Sequence, residues 1–395
     1  MNALLPHAWM HWILSASIAL AGCGGGTSSM QTSQSTSAQT NTAAPMPSAT
    51  TPMPGTAMPP PPASSLVLPP PQLRFSDTGV SVSDAITRDG RWSVVSSGLG
   101  WEYSLDLGKS WEQGIGEGFE VKGEGPKTIW VRARDDRGNT SEVVVVGCVL
   151  DTTPPSSPAL TATARGALDE LRLDALEAQA LWEYSVDGQR TWYQAEGSGL
   201  LVYGNGLQRI ALRQVDLAGN PSAAVVNMLP SANSTIDPLR HEASSNPLSP
   251  TILGEPGPVA AAGLAPGTMA GPSGQSAAAI GRSVLVHGEV VRGDADYLRI
   301  DVPAGYRLHA LRLVYYESED SIAFFAVQRA SVFDAGVDTK SMAAWGHLGP
   351  QDQGKNLIQG LPEAALGSGP LVLWVQQTGE KKTLYAMQLD LRSTL

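Results

Sequence analysis

Apolar and polar residues alternate with a period of two through much of this chain. Trp101, Tyr103 and Leu105 fall on one side of Glu102, Ser104 and Asp106. Trp182, Tyr184 and Val186 repeat the pattern, and Thr128 to Arg134 and Arg209 to Val215 alternate likewise. That period belongs to strands with one face on a core. Val143 to Val146 is instead a continuous apolar run, which predicts a strand covered on both sides. Turns are expected where Gly, Asn and Asp gather, at Asp187-Gly188, Gly138-Asn139 and Gly219-Asn220. Towards the C-terminus, residues 297–302, 311–316, 322–327, 371–377 and 384–391 are mostly alternating runs, and no stretch there has a clear helical period.

The strand pattern repeats at an offset of 81 residues. Trp101-Glu102-Tyr103-Ser104-Leu105-Asp106 returns as Trp182-Glu183-Tyr184-Ser185-Val186-Asp187, and Trp111 as Trp192. Gly116, Gly118, Gly123 and Gly125 map onto Gly197, Gly199, Gly204 and Gly206, and Arg132 maps onto Arg213. Asp135 with Gly138-Asn139 maps onto Asp216 with Gly219-Asn220. A unit of that length with about seven short strands fits a small sandwich rather than a solenoid turn. The two units resemble the bacterial Ig-like repeats of large surface adhesins, with WEYSLDLGKSW and DDRGNTS in the first and WEYSVDGQRTW and DLAGNPS in the second. Asp151-Thr152-Thr153-Pro154-Pro155 matches the junction of such arrays. Leu107 and Gln189 stand where that pattern has a turn glycine. The resemblance implies a stalk that carries a binding domain outward, with calcium at some junctions.

Composition changes the picture at two places. From Gly24 to Leu73 there is no charged side chain, only Ser, Thr, Gln, Gly, Ala, Met, Pro, one Asn and a few apolar residues, ending in two proline runs. Such a segment buries no core and passes from coil into polyproline II. A second stretch rich in Pro, Gly, Ala and Ser covers 231–280. The expected organisation is therefore a signal peptide over 1–22, a lipidated disordered tether over 23–72, Ig-like repeats over 73–150 and 151–230, a disordered linker over 231–280, and a C-terminal module over 281–395. The expected fold class is all-β: two tandem Ig-like β-sandwiches plus a C-terminal jelly-roll-like β-sandwich, joined by disordered linkers.

The signal peptide rests on the apolar run Trp12 to Leu20, about half of a membrane span, followed by small residues. Leu20-Ala21-Gly22-Cys23 resembles the lipobox of bacterial lipoproteins. The resemblance implies a diacylglycerol on Cys23, cleavage before it and acylation of its amine, since stable anchoring takes more than one chain. Gly24 rather than Asp after the cysteine implies sorting to the outer membrane. The n-region departs from the pattern, carrying His7 and His11 but no Lys or Arg.

In the C-terminal module, Gly293-Asp294-Ala295-Asp296-Tyr297, Asp301-Val302-Pro303-Ala304-Gly305 and Leu373 to Gly379 resemble the pre-peptidase C-terminal β-jelly-roll family at its opening and closing strands. That likeness implies an accessory binding or targeting role, with calcium in some members. Asp294, Asp296 and Asp301, with Glu319 and Asp320, are the candidate calcium ligands, as oxygen donors near one extended segment. Tyr316, Trp345 and Trp374 are the candidate aromatics for stacking on a sugar. Trp101, Tyr103, Trp182 and Tyr184 are expected in cores, and Cys148 as a small buried hydrophobe.

With 26 basic and 37 acidic side chains among 395 residues, a net charge of -11 disfavours nucleic acid as a partner. No nucleophile elbow, metal-binding histidine pair or phosphate loop is present, so no enzyme is expected. His287, His309 and His347 are the histidines open to a triad assembled in space. The reading is a non-catalytic lipoprotein of the bacterial cell envelope, membrane-bound through its lipid, whose head binds an envelope or host glycan or a surface protein. The alternatives are a purely structural envelope lipoprotein and a hydrolase or accessory subunit of one.

Overall fold

The protein's structure, a computed structural model, describes residues 67–230, 242–256, 281–320, 322–334, 336 and 338–394. The expected signal peptide, Cys23, the tether up to residue 66, and residues 231–241 and 257–280 of the expected linker lie outside the described residues. The chain divides into the units Met1–Ser64 and Ser65–Leu395, and every described residue belongs to the second. The fold is all-β. The helical turns among the described residues are three short 3-10 stretches, Thr339–Ser341, Pro350–Asp352 and Glu363–Leu366.

The first repeat is a sandwich. Gln72–Phe75, Arg91–Val95 and Gly118–Glu120 form a three-stranded sheet; Ile86–Thr87, Val144–Leu150, Gly125–Arg134, Gly100–Ser104 and Glu112–Gln113 form the other. Trp92, Trp101, Ile129, Val131 and Cys148 fill the space between, and burial pushes the Cys148 thiol pKa up. The expected tether ends early, since Leu68 is already buried and the first strand begins at Gln72. Two expectations fail here. Leu105 lies past the end of its strand and is exposed, and the valine run is a strand with a wet outer face, Val145 being 56% exposed.

The repeated motifs turn out to be turn and brace devices. Asp135 accepts the backbone N–H and side-chain amide of Asn139 at 2.7 and 2.8 Å, and Asp216 does the same for Asn220 at 2.8 and 2.9 Å. Arg132 sits 3.8 Å over the Trp111 ring and pairs with buried Glu102. Arg213 sits 3.9 Å over Trp192 and pairs with Glu183. Guanidinium, indole and carboxylate thus recur as one unit in both repeats. The repeats meet end to end, where Arg88 donates to the Gly219 carbonyl at 2.8 Å and the Val80 N–H to the Leu217 carbonyl at 3.0 Å.

The second repeat is not a free bead. One of its sheets, Tyr193–Gln194, Leu181–Ser185, Arg209–Val215 and Val225–Met228, has four strands. Its other sheet begins with Ala159–Arg165, Leu168–Asp174 and Gly199–Gly204 and then continues into the C-terminal module. Arg282–Val290 lies parallel to Gly199–Gly204, with Leu200 opposite Ser283 and Gly204 opposite His287, and Thr383–Ser393 and Tyr306–Ser318 complete six strands. Parallel neighbours need a long connection, here the chain from 205 to 281.

The shared sheet is the middle of three layers. Leu171, Leu200, Val202, Leu285 and Ala386 face the four-stranded sheet, while Leu201, Tyr203, Val284, Val286 and Met387 face a five-stranded one. That outer sheet runs Thr251–Gly254, Ala295–Val302, Gly369–Gln377, Ala323–Gln328 and Ala344–Leu348. All six residues of Gly199–Gly204 are buried, as are nearly all of Arg282–Val290, so these strands, rather than the valine run, are covered on both faces. A buried polar chain ties the layers, with Tyr184 donating to Gln388 at 2.6 Å and Gln388 to the Gln194 carbonyl at 2.9 Å.

The disordered-linker expectation is corrected over residues 242–256. Thr251–Gly254 pairs with Ala295–Val302, Leu253 is buried, and the Glu242 carbonyl accepts from Tyr203 at 2.8 Å. Four residues of edge strand among prolines carry too little alternation to stand out from a linker in sequence.

Candidate functional site

The register of the five-stranded sheet assembles an aromatic row. Tyr297 lies opposite Trp374, Trp374 opposite Ala326, and Ala326 opposite Trp345, so these four share one face across four strands. One step along, Phe324 lies opposite both His347 and Gln376 on that same face. Phe324 meets Trp374 edge-on at 4.9 Å and lies 6.4 Å from Trp345 and 5.8 Å from His347.

One end of the row is roofed. Phe333 is fully buried 5.0 Å from the Trp374 ring and 5.5 Å from Tyr297, on a segment fixed by its own N–H to the Pro247 carbonyl at 2.8 Å. The other end is open. Trp345 is 51% exposed and His347 beside it is exposed, both on the last strand of the sheet. Rings held by neighbours on one side and wet on the other lose little entropy when a flat apolar surface covers them, and His347 and Gln376 offer polar atoms alongside.

Other candidate residues are placed apart from this face or turned inward. Tyr316 is buried and donates to the Asp320 carbonyl at 2.8 Å, so it takes a core role instead of a stacking one. Trp374 is half-buried under Phe324 and Phe333 and supports the platform more than it offers a surface.

The candidate calcium ligands are not brought together. Asp294 is exposed, Asp301 pairs with Arg299 at 2.8 Å, and Asp296 is buried with its carboxylate accepting from Tyr385 at 2.7 Å. Burial pushes the Asp296 pKa up to about 7, unlike a preformed cation site. Glu319 pairs with Lys381, and Asp320 accepts from the Lys381 N–H. Among the described residues no group of three or more His, Cys, Asp or Glu side chains is set to hold a metal. The physical reason is strand alternation broken by a turn: Asp294 precedes the strand that begins at Ala295, while Asp296 points into the sandwich.

The three histidines are also separate. His287 is buried in the shared sheet, its Nδ1 accepting from the Leu207 N–H at 3.0 Å; His309 contacts Arg392; His347 is on the aromatic face. Among the described residues no helix is long and apolar enough to cross a membrane.

No family model matches the chain, and no curated protein matches it. Among solved structures it is similar to the chicken interferon gamma receptor alpha chain, at 10% identity over 42% of this chain and 100% of that one, with a TM-score of 0.19. It is also similar to the FN1-FN3 domains of chicken CNTN1, at 7% identity over 79% of this chain and 95% of that one, TM-score 0.17. A third likeness is to a structure of carbohydrate-binding modules from the beta-sandwich super family, at 9% identity over 80% and 95%, TM-score 0.19. Scores of this size carry no inference about residues or ligand.

Proposed function

We propose that this chain is a non-catalytic binding protein of the bacterial cell envelope, in which the aromatic face around Trp345 takes a surface glycan. The observation behind the reading is the half-exposed Trp345 at the open end of a row whose other rings are packed. A sugar presents a flat face of C–H groups, and stacking it on an indole removes apolar area from water at little entropic cost. The lipobox resemblance at Cys23 supports acylation and membrane attachment, with the outer membrane as the expected location. Calcium is not assigned a role.

Retention of the full chain on immobilised envelope and host glycans tests the ligand. Binding should fall at least tenfold in Trp345→Ala, a change at an exposed position that leaves the core intact. If no glycan retains the wild type, or if Trp345→Ala binds as well, the platform is not the site. Incorporation of a clickable palmitate that is lost in Cys23→Ala, with the protein leaving the membrane fraction, tests the anchor independently.

A further inference from the structure

A second recess lies at the seam between the second repeat and the C-terminal module, away from the aromatic face. It is a cleft of about 290 Å³, with Trp192 and Glu196 on the repeat side and His309, Arg312, Asn356 and Arg392 on the other. Asp390, only 4% exposed, also lines it.

Apart from Glu196 Oε2, the carboxylate oxygens of this cleft already have donors among the described residues. One carboxylate oxygen of Asp390 accepts from Ser283 Oγ at 2.5 Å and Gln388 Nε2 at 2.7 Å, and the other takes Arg312 Nη1 at 3.4 Å. Glu196 Oε1 takes Arg392 Nε at 3.0 Å and also Arg392 Nη2.

The donors are only partly used. Arg312 has, among the described residues, that one long bond to Asp390, so most of its five N–H groups have no acceptor there. Asn356 Oδ1 accepts the N–H groups of Leu311 and Ile358 at 3.1 and 3.3 Å, which leaves its Nδ2 amide without a partner among the described residues. His309 Nε2 faces Arg392 Nη1 at 2.9 Å and can only accept there, so the ring proton sits on Nδ1. Burial first, then Arg392 and Arg307, lower the His309 pKa and keep the ring neutral. Trp192 carries the Arg213 guanidinium on one face, 3.9 Å away, leaving the rest of the indole for the cleft.

We infer that this cleft is a binding site for a carboxylate-bearing sugar of about monosaccharide size. Unspent donors around a guanidinium call for an anionic acceptor, and a planar fork matches a carboxylate in two-point fashion. Indole beside them suits the C–H face of a sugar ring. The volume falls at the lower end of small-ligand sites, which run from roughly 300 Å³ upward. The site exists only because the repeat and the module share a sheet: Trp192 and Glu196 come from one, Arg312 and Asn356 from the other.

Titration calorimetry of the full chain with D-glucuronate, D-glucose and acetate tests this. Glucuronate should bind at least tenfold more tightly than either glucose, which lacks the carboxylate, or acetate, which lacks the ring. Arg312→Gln should weaken glucuronate at least tenfold. Asn356→Asp keeps the oxygen that accepts from Leu311 and Ile358 but turns the free donor into an acceptor, so it should weaken binding similarly while melting near the wild type. Arg312→Gln and Asn356→Asp both keep Trp345, so a loss in either puts the binding at this cleft and not at the aromatic face. Equal affinity for glucuronate and either control, or wild-type affinity in Asn356→Asp, would overturn the assignment.

Discussion

Gly123 and Gly204 occupy the same position of the two repeats, yet alanine should cost very different amounts at each. At Gly123, with φ +80°, a Cβ meets nothing nearer than the flexible Lys127 Nζ at 3.6 Å. Only the left-handed backbone then opposes the substitution, at about 1–2 kcal/mol. At Gly204, with φ +135°, the Cβ would lie 1.6 Å from the His287 carbonyl oxygen across the parallel pair. The strands must part by roughly 1.5–2 Å to reach an ordinary C···O contact. That breaks about two hydrogen bonds at the end of the ladder, at about 1 kcal/mol each, on top of about 1–3 kcal/mol for a conformation glycine alone adopts easily. The total is on the order of 3–5 kcal/mol, concentrated where Arg282–Val290 joins the repeat. Native-state hydrogen exchange reads this locally. Amides of Ser283 to His287 should exchange at least a hundredfold faster in Gly204→Ala and unchanged in Gly123→Ala, at roughly 1.4 kcal/mol per tenfold. Equal protection of those amides in the two variants would refute the shared sheet as the structural joint.

Two further outcomes follow from backbone strain and from a buried acid. Leu107 and Gln189 hold φ of +62° and +71° in hairpin turns, and Leu107 is largely exposed, so Leu107→Gly should raise the urea midpoint, by about 1 kcal/mol of stability. Asp296 has a folded pKa of about 7 against 3.8 unfolded, so the folded state binds the extra proton and stability falls as pH rises from about 4 to about 7. Asp296→Asn, which keeps an oxygen for Tyr385, should flatten that fall and stabilise the protein at pH 8 by on the order of a few kcal/mol while changing little at pH 4, as measured by denaturation across pH.

Part of the seam was written in the second repeat. At the shared offset, Glu120 and Lys122 of the first repeat become Leu201 and Tyr203 of the second. The first pair is exposed, Glu120 ending an edge strand and Lys122 just past it, where charge disfavours pairing with another chain; the second pair is buried in the C-terminal core. Loss of charge on the outward face of one copy is the signal that a neighbour covers it, but it does not say which neighbour. The aromatic row was legible only as a list of rings. Trp345 stood among the candidates, but Phe324 and His347 joined it as neighbours only through cross-strand register. The seam cleft was missed because its residues come from positions 192 to 392 and share no local pattern.

What the sequence determined by itself was local and periodic: alternation that makes strands, glycines and Asp-Asn clamps that make turns, and an 81-residue repeat that copies one sandwich into two. Tertiary structure alone decided that the second copy surrenders its edge to the C-terminal module, turning two expected beads into three layers around one sheet. It also decided that three acids two to seven positions apart diverge instead of gathering. The physical reason is range. Periodicity is set by the geometry of neighbouring residues, whereas a parallel pairing such as Leu200 with Ser283 is settled by burial of both faces of a strand against chain some eighty positions away.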